Sequence, residues 1–209
     1  MVSVIIRNKN EQDYIGFAIQ SVLDTFINPE IIVVDNNSTD ESLKIVSLFD
    51  KANIKIINID SYTPGKSINA GVKAATKKYI LILSAHCQIT EFDNKVFEYA
   101  DSYVGVFGQQ NPIYRGKKIT KRYIWSHFGD STKTNLYSDI ENRWFFHNAF
   151  SLFTKENLIK YPMPEQYSGK EDRYWAKDIV KIGKNYLYYS DIKVNHYYTG
   201  NGATWKGLG

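Results

Sequence analysis

The sequence predicts an α/β fold with an open, mostly parallel central sheet and helices on both faces. Short runs rich in valine and isoleucine alternate with segments of helical periodicity over the first ninety residues. Continuous apolar runs of this length are typical of strands buried on both faces, as in a parallel sheet. Strand–helix–strand alternation implies right-handed crossovers in one open sheet. The length of 209 residues, with 43% hydrophobic residues, suits a single domain with a sizeable core.

The first half contains four predicted strands and three predicted helices. The strands are Val2–Ile6, Ile31–Val34, Ile54–Ile59 and Tyr79–Leu83. The helices are Tyr14–Leu23, Asp40–Phe49 and Ser67–Thr76. Apolar residues of the first helix fall on one face. Ser38 and Glu41 have the spacing of a capping box that opens the second helix.

The second half is less regular. Strands are predicted at Tyr103–Phe107, 149–153, Tyr186–Tyr189 and Ile192–Val194, and a helix at Glu171–Ile182. Residues 108–148 have no clear period and are rich in aromatic side chains. A stretch this long and irregular is predicted to be a binding loop.

Composition and charge limit the class of protein. Net charge is only +4, so bulk charge does not favour nucleic acid as a partner. A single cysteine, Cys87, excludes an internal disulfide and fits a reducing compartment. We expect Cys87 to be a small buried residue. The sequence has neither an apolar run long enough for a membrane span nor a signal-peptide pattern at its start, so we expect a cytoplasmic protein.

Polar residues follow all four strands of the first half. They are Arg7–Glu11, 35–37, Pro64–Lys66 and Ser84–Cys87. The carboxyl ends of parallel strands meet at one edge of a sheet, where α/β proteins bind ligands. Carboxylate acceptors beside basic residues suit a nucleoside diphosphate, whereas the ordinary alternative is a set of solvated loops.

The segment Gly65-Lys66-Ser67 matches the end of a phosphate-binding P-loop. A P-loop requires a glycine five positions before Gly65, and that position is Asp60. This spacing excludes a P-loop nucleoside triphosphatase. No Gly-x-Gly-x-x-Gly pattern follows the first strand, which disfavours a dinucleotide-binding protein.

Five segments resemble family 2 glycosyltransferases with the GT-A fold, a Rossmann-like α/β architecture. They are VSVIIRNKNE, EIIVVDNNSTDES, PGKSINAG, YILILSAHC and GKEDRYWA. The resemblance implies one domain over 1–209, with a nucleotide-binding half at 1–90 and an acceptor and catalytic half at 91–209. It also implies transfer of a sugar from a nucleoside-diphosphate donor, UDP or dTDP linked, to an acceptor hydroxyl. Such enzymes usually invert the anomeric centre, and we expect a role in capsule-like or O-antigen-like surface glycan assembly.

The resemblance also implies roles for individual residues. The nucleotide-binding positions are Arg7, Lys9, Glu11, Asp35, Asn36, Lys66 and Asn69. Asp172 corresponds to the catalytic base, and Glu171 is left to orient the acceptor or a neighbouring loop. Because both lie at a predicted helix start, we expect the helix dipole to favour ionised Asp172 by roughly 0.3–1 kcal/mol and to keep its pKa low.

The family's metal-binding Asp-x-Asp motif is replaced by Ser84-Ala85-His86. The resemblance implies that His86 and His196 are metal ligands. Imidazole suits Mn²⁺ better than Mg²⁺, so a divalent cofactor is expected to be Mn²⁺. The ordinary alternative is that both histidines are hydrogen-bonded core or loop residues.

Residues 115–122 read RGKKITKR and carry five basic side chains in eight positions. This is either an ordinary solvated loop or a contact for an anionic partner. Lipid-linked glycan acceptors carry diphosphates, and basic clusters gain roughly 1 kcal/mol per Lys or Arg near anionic lipid. The segment therefore predicts a lipid-linked acceptor and peripheral contact with the inner face of the membrane, with no nucleic acid.

Two other functions remain open at this point. The first is a non-catalytic domain that binds a nucleotide sugar and has lost its metal motif. The second is a nucleotidyltransferase, which would need a glycine-rich triphosphate loop near the start. Residues 2–12 contain no glycine, so the second alternative is disfavoured.

Overall fold

The helices and strands are taken from a computed structural model that describes residues 2–118, 129–139 and 142–198. The strands are β1 (Val2–Asn8), β2 (Glu30–Asp35), β3 (Ile54–Asn58), β4 (Tyr79–Ser84), β5 (Cys87–Glu91), β6 (Val106–Tyr114), β7 (Lys117–Lys118), β8 (Lys133–Thr134), β9 (Tyr137–Ser138), β10 (Arg143–Trp144), β11 (Phe150–Thr154) and β12 (Leu187–Tyr197). The helices are α1 (Ile15–Thr25), α2 (Ser42–Ser47), α3 (Pro64–Ala74), α4 (Val96–Ser102), α5 (Lys155–Lys160) and α6 (Glu171–Lys181).

The main sheet has the strand order β3-β2-β1-β4-β11-β6-β12-β5. Strands β3, β2, β1 and β4 are parallel to one another. Strand β11 is antiparallel to both β4 and β6, and β12 runs parallel to β6. This topology confirms the predicted open α/β sheet, because its amino-terminal half is built from parallel strands joined by helices.

Each face of the sheet carries its own hydrophobic core. Val4 and Ile6 of β1 pack on one face with residues of α1, α2 and α4. Ile5 lies on the other face with residues of α3, α5 and α6. Successive residues of a strand point to opposite faces, so an uninterrupted apolar run is buried on both sides. The prediction of helices on both faces is confirmed.

Several predicted boundaries were wrong for local reasons. The capping box does not form, because Ser38 Oγ donates to Asp35 Oδ1 at 2.6 Å and α2 begins only at Ser42. Helix α3 begins at Pro64, three residues before the predicted start, and Thr63 Oγ1 caps it by accepting from Lys66 N at 3.2 Å. Proline suits the first helical turn because its missing N–H would have no partner there.

The second half is more regular than predicted. Strand β6 continues to Tyr114, so the stretch predicted as an irregular binding loop from residue 108 begins as sheet. The two predicted closing strands are one strand, β12, with a register shift between Lys193 and Val194. Strand β5, the two-residue strands β7 to β10 and helices α4 and α5 were not predicted.

Within the described ranges, none of the helices combines the length and the apolar composition needed to cross a bilayer. Cys87 is buried as expected, and burial raises the pKa of its thiol far above the ordinary value. Trp175 is buried between α6 and the sheet, and its indole N–H donates to the Tyr161 carbonyl at 3.0 Å.

Candidate functional site

The carboxyl ends of β1, β2 and β4 form one edge of the parallel half-sheet. Asn8 at the end of β1 pairs with Asp35 at the end of β2, and Arg7 pairs with Ser84 at the end of β4. The loops that follow these strands therefore lie side by side. This is the arrangement that the parallel pattern predicts for a shared binding edge.

Asp35 is the centre of a hydrogen-bonded loop at this edge. It is 1% exposed and accepts from Asn8 Nδ2 at 2.7 Å, from Ser38 Oγ at 2.6 Å and from Ser38 N at 2.8 Å. The backbone N–H of the next residue, Asn36, donates to the Asn8 carbonyl at 3.1 Å. These bonds fix the loop between β2 and α2 against the end of β1.

The two predicted phosphate-binding lysines lie in the segments that follow β1 and β3, the two strands on either side of β2. Lys9 Nζ donates to the carbonyls of Asn36 at 2.6 Å and Asn37 at 2.7 Å. Lys66 Nζ donates to Ser61 Oγ at 3.0 Å, and Lys66 lies in the first turn of α3. Lys9 is exposed and Lys66 is partly exposed, so both ammonium groups are accessible to an anionic ligand.

Arg7 connects the edge to the second half of the chain. Its guanidinium donates to Ser84 Oγ at 2.9 Å and to the Asn148 carbonyl at 2.9 Å, while its buried Nε has no hydrogen-bond partner among the described residues. Ser84 and Asn148 were not predicted as site residues. Ser84 belongs to the altered metal motif, but Asn148 had no signal in the sequence, because its role depends on tertiary contact.

His86 and Glu11 form a partly buried pair. His86 Nδ1 lies 2.9 Å from Glu11 Oε1, and the two side chains are 16% and 8% exposed. A carboxylate accepts hydrogen bonds, so this contact favours the tautomer with the proton on Nδ1 and a lone pair on Nε2.

His196 lies directly against His86. The two rings are stacked with centroids 4.9 Å apart and planes within 10°. His196 is buried, its Nδ1 bonds to Gln110 Oε1, and its Nε2 has no hydrogen-bond partner among the described residues. Burial, with His86 nearby, holds the pKa of His196 well below its ordinary value, so its imidazole is neutral.

His147 is a third histidine of this region and was not predicted. It is buried, its Nε2 bonds to the Gly108 carbonyl at 2.8 Å, and burial lowers its pKa to about 3. No aspartate, glutamate, cysteine or histidine cluster of three or more in the described ranges is arranged to hold a metal ion. A metal ion bound here would therefore have fewer than three ligands of these residue types among the described residues.

Glu171 and Asp172 begin α6 and make different contacts. Glu171 is buried and accepts from Asn148 Nδ2 at 3.2 Å. Asp172 is half-buried, and its Oδ1 accepts from the Arg173 backbone N–H at 2.8 Å. The two carboxylates thus have separate hydrogen-bond partners.

The expectation of a low pKa for Asp172 was wrong. Burial, and then the neighbouring charge of Glu171, raise the pKa of Asp172 to about 7, although the Arg173 backbone N–H and the charges of Arg173 and Arg143 oppose this rise. Loss of hydration outweighs the helix dipole here. A carboxylate with a pKa near 7 is better matched to proton transfer at neutral pH than one near 4.

Asn69, a predicted nucleotide contact, has its amide engaged by another segment. Its Nδ2 donates to the Met163 carbonyl at 2.9 Å and to Glu165 Oε1 at 2.9 Å, and its Oδ1 accepts from Met163 N at 3.1 Å. The structure therefore places Asn69 on α3, with its side chain against the loop that leads to α6.

The basic segment at 115–122 is described only in part. Residues 115–118 form an exposed turn and the short strand β7, with Arg115 and Gly116 at positive φ. Lys121 and Arg122 lie outside the described residues. The guanidinium of Arg115 stacks over Tyr114 at 5.1 Å from the ring centre.

Comparison with known proteins identifies a family. Residues 3–161 match the family model for glycosyl transferase family 2. O-antigen chain rhamnosyltransferase RfbN of Salmonella typhimurium is 24% identical over 210 residues, which cover 93% of this chain and 66% of that protein. The chain spans less than two thirds of the length of the curated relatives that it matches.

Solved structures show the same fold. The crystal structure of S. aureus TarS 1–349 in complex with UDP-GlcNAc matches with a TM-score of 0.72 and 19% identity, over 100% of this chain and 61% of that one. The crystal structure of GalNAc-T7 with UDP, GalNAc and Mn²⁺ matches with a TM-score of 0.72 and 15% identity, over 97% of this chain and 44% of that one.

Proposed function

The chain belongs to glycosyl transferase family 2. On that premise we propose that it transfers a sugar from a nucleoside-diphosphate donor to an acceptor hydroxyl, with inversion of the configuration at the anomeric carbon. The observation that carries this proposal is the half-buried carboxylate of Asp172, with its raised pKa, in the same structure as a polar strand edge suited to a nucleotide. Residues 1–90 form the donor half and 91–209 the acceptor half. The relative named as a rhamnosyltransferase supports a role in surface glycan assembly.

In this mechanism Asp172 is the base. Its carboxylate accepts the proton of the acceptor hydroxyl as the hydroxyl oxygen attacks the anomeric carbon. The new glycosidic bond forms while the bond from that carbon to the diphosphate oxygen breaks, and the nucleoside diphosphate leaves with the electron pair. Glu171, held by Asn148, keeps the start of α6 in place.

The donor is UDP or dTDP linked in this proposal, and its nucleoside diphosphate lies along the strand edge. Asp35 and Asn36 face the nucleoside, and Lys9, Lys66 and Arg7 compensate the diphosphate charge. Glu11 acts through His86, because its carboxylate is paired with that ring. A thermal-shift panel of UDP- and dTDP-sugars, with and without Mn²⁺, tests this step.

A bound donor stabilises the folded protein by mass action, by about 2.7 kcal/mol at 100 times its dissociation constant. We expect at least one nucleotide sugar to raise the melting temperature and free mononucleosides to leave it unchanged. No shift with any member of the panel contradicts the nucleotide assignment.

We propose that a divalent metal binds beside the histidine pair with one of the two rings as its ligand, because stacked rings with nearly parallel planes do not direct their in-plane lone pairs to a single ion. Both rings present Nδ1 to an oxygen acceptor, which leaves Nε2 of each as the donor atom for a metal, and Nε2 of His196 is buried without a partner among the described residues. Outer oxygen acceptors that orient a histidine in this way are usual around bound metals. When bound, the metal would stabilise negative charge on the leaving diphosphate.

We predict that Mn²⁺ supports activity better than Mg²⁺, because imidazole nitrogen suits Mn²⁺ better. His86→Ala should abolish the strengthening of UDP binding by Mn²⁺, measured by isothermal titration calorimetry, with little change in metal-free UDP affinity. Full activity in excess chelator would contradict the metal proposal and assign charge neutralisation to Lys66 and Arg7.

The acceptor proposed is a glycan carried on a lipid diphosphate, bound at the inner face of the membrane by the basic segment 115–122. Neutralising Lys117, Lys118, Lys121 and Arg122 should impair transfer to a lipid-diphosphate acceptor and spare donor hydrolysis. Neutralising four lysines elsewhere (Lys51, Lys55, Lys181 and Lys184, all exposed) is the matched control. Equal loss of both activities in the first variant would indicate a structural role instead.

A further inference from the structure

We propose that Asn69 is a positioning residue that holds the loop before α6, and thereby the base, against the donor half of the molecule. The inference rests on the proposed transferase function and goes beyond it, since it assigns Asn69 to the acceptor side of the reaction. It starts from the loop at 162–170, which joins α5 to α6 and has no helix or strand of its own.

The Asn69 side chain both donates hydrogen bonds to this loop and accepts one from it. Its amide receives a hydrogen bond from Met163 N and donates one to the carbonyl of the same residue, at 3.1 and 2.9 Å. Its second N–H bonds to the carboxylate of Glu165 at 2.9 Å. Because both backbone groups of Met163 are bound by one amide, a shift of the loop by one residue would break both bonds.

The start of α3 is shaped to accept the same loop. Thr63 Oγ1 donates to the Glu165 carbonyl at 2.8 Å. A Cβ at Gly65 would overlap the carbonyl oxygen of Pro164, so a side chain there would push the loop away. Prolines at 162 and 164 restrict the backbone conformations from which this contact forms.

The loop is in turn connected to the carboxylates. Met163 is buried, and its Sδ lies 3.5 Å from Asn148 Nδ2, the same amide nitrogen that lies 3.2 Å from Glu171 Oε1. A continuous set of contacts therefore runs from Asn69 through Met163 and Asn148 to Glu171. The Asn148 carbonyl also accepts a hydrogen bond from Arg7. Residue Arg7 of β1, at the proposed donor site, therefore contacts the same set of residues.

Asn69 uses both N–H groups and its oxygen in these bonds, which favours a structural link over a contact with the diphosphate. A small displacement of a catalytic base has a large effect on rate, since a misplacement of about 1 Å lowers the rate by about a hundredfold. Loss of the Asn69 amide should therefore act on turnover rather than on donor binding.

The test compares Asn69→Ala with Lys73→Ala, an exposed position on the same helix. We expect Asn69→Ala to leave the dissociation constant of UDP within about twofold, to lower turnover of the donor identified by the panel by about tenfold or more, and to speed hydrogen exchange over residues 162–172. Lys73→Ala should change none of these. UDP affinity that falls in step with turnover, or unchanged turnover and exchange, would overturn the proposal.

Two further measurements apply if Asn69→Ala does not fold or if the unaltered protein shows no turnover. If Asn69→Ala does not fold, Glu165→Ala removes one of the three bonds at an exposed side chain, and it should give a smaller loss of the same kind. If the unaltered protein turns over no donor, the transferase function fails, whereas hydrogen exchange of Asn69→Ala still decides whether Asn69 holds the loop.

Discussion

Replacing Asp172 with asparagine should lower turnover by about 10²–10⁴-fold, the usual range for loss of a general base. Asparagine keeps the shape of the side chain and an oxygen that accepts from the Arg173 N–H. It does not accept the proton of the attacking hydroxyl. Turnover with saturating donor and acceptor measures the effect, and UDP affinity should remain nearly unchanged.

Asp178→Asn is the matched control, because Asp178 is an exposed aspartate of the same helix. It should retain nearly full activity. If Asp172→Asn keeps more than about a tenth of the turnover of the unaltered protein, the base lies elsewhere, because general-base loss is much larger. Asp172 would then be only a first-turn residue of α6.

The pH dependence should identify the same group. Because the pKa of Asp172 is raised to about 7, the reactive carboxylate is lost as pH falls through that value, so turnover should decline below neutrality. The folded state also favours the protonated form, so Asp172 contributes stability below its ordinary pKa and loses that contribution as pH rises through about 7. Asp172→Asn should therefore melt no lower than the unaltered protein at pH 8.

Asp35→Ala should weaken UDP binding by more than tenfold, which corresponds to about 1.4 kcal/mol. The change removes the proposed acceptor for the nucleoside. It also leaves Asn8 Nδ2 and Ser38 N without their present partner, so the loop after β2 loses its fixed position. Isothermal titration with UDP measures the effect directly.

Ser38→Ala separates these two causes. It removes the hydroxyl that bonds to Asp35 and keeps the carboxylate. We expect a smaller loss of UDP affinity than in Asp35→Ala. An equal loss in both variants would show that Asp35 acts through the loop, and unchanged affinity in Asp35→Ala would contradict the nucleotide assignment.

The parallel half of the fold could be predicted because its physical causes are local. β1 and β4 are mostly apolar and almost wholly buried, and burial of both faces leaves few other ways to fold them. The residues at the ends of these strands then had to lie at one edge. The hydrogen bonds of Ser38 could not be predicted, because the capping-box pattern and the loop around Asp35 compete for the same hydroxyl.

The catalytic half depends on contacts between distant residues. Asn148 contacts both Met163 and Glu171 only after distant segments of the chain pack together, so spacing in the sequence gives no sign of these contacts. The pKa of Asp172 was mispredicted for the same reason. A helix start is visible in the sequence, but the burial that outweighs its dipole is a tertiary property.

We propose that this protein transfers a sugar and does more than bind a nucleotide sugar. The most direct measurement incubates the donor identified by thermal shift with Mn²⁺ and a membrane lipid extract as acceptor, and follows product by mass spectrometry. We expect the unaltered protein to enlarge the acceptor by one sugar and to release UDP or dTDP, and we expect Asp172→Asn to react much more slowly. A donor that binds tightly and stays intact with every acceptor fraction would contradict this proposal and favour a non-catalytic nucleotide-sugar-binding domain.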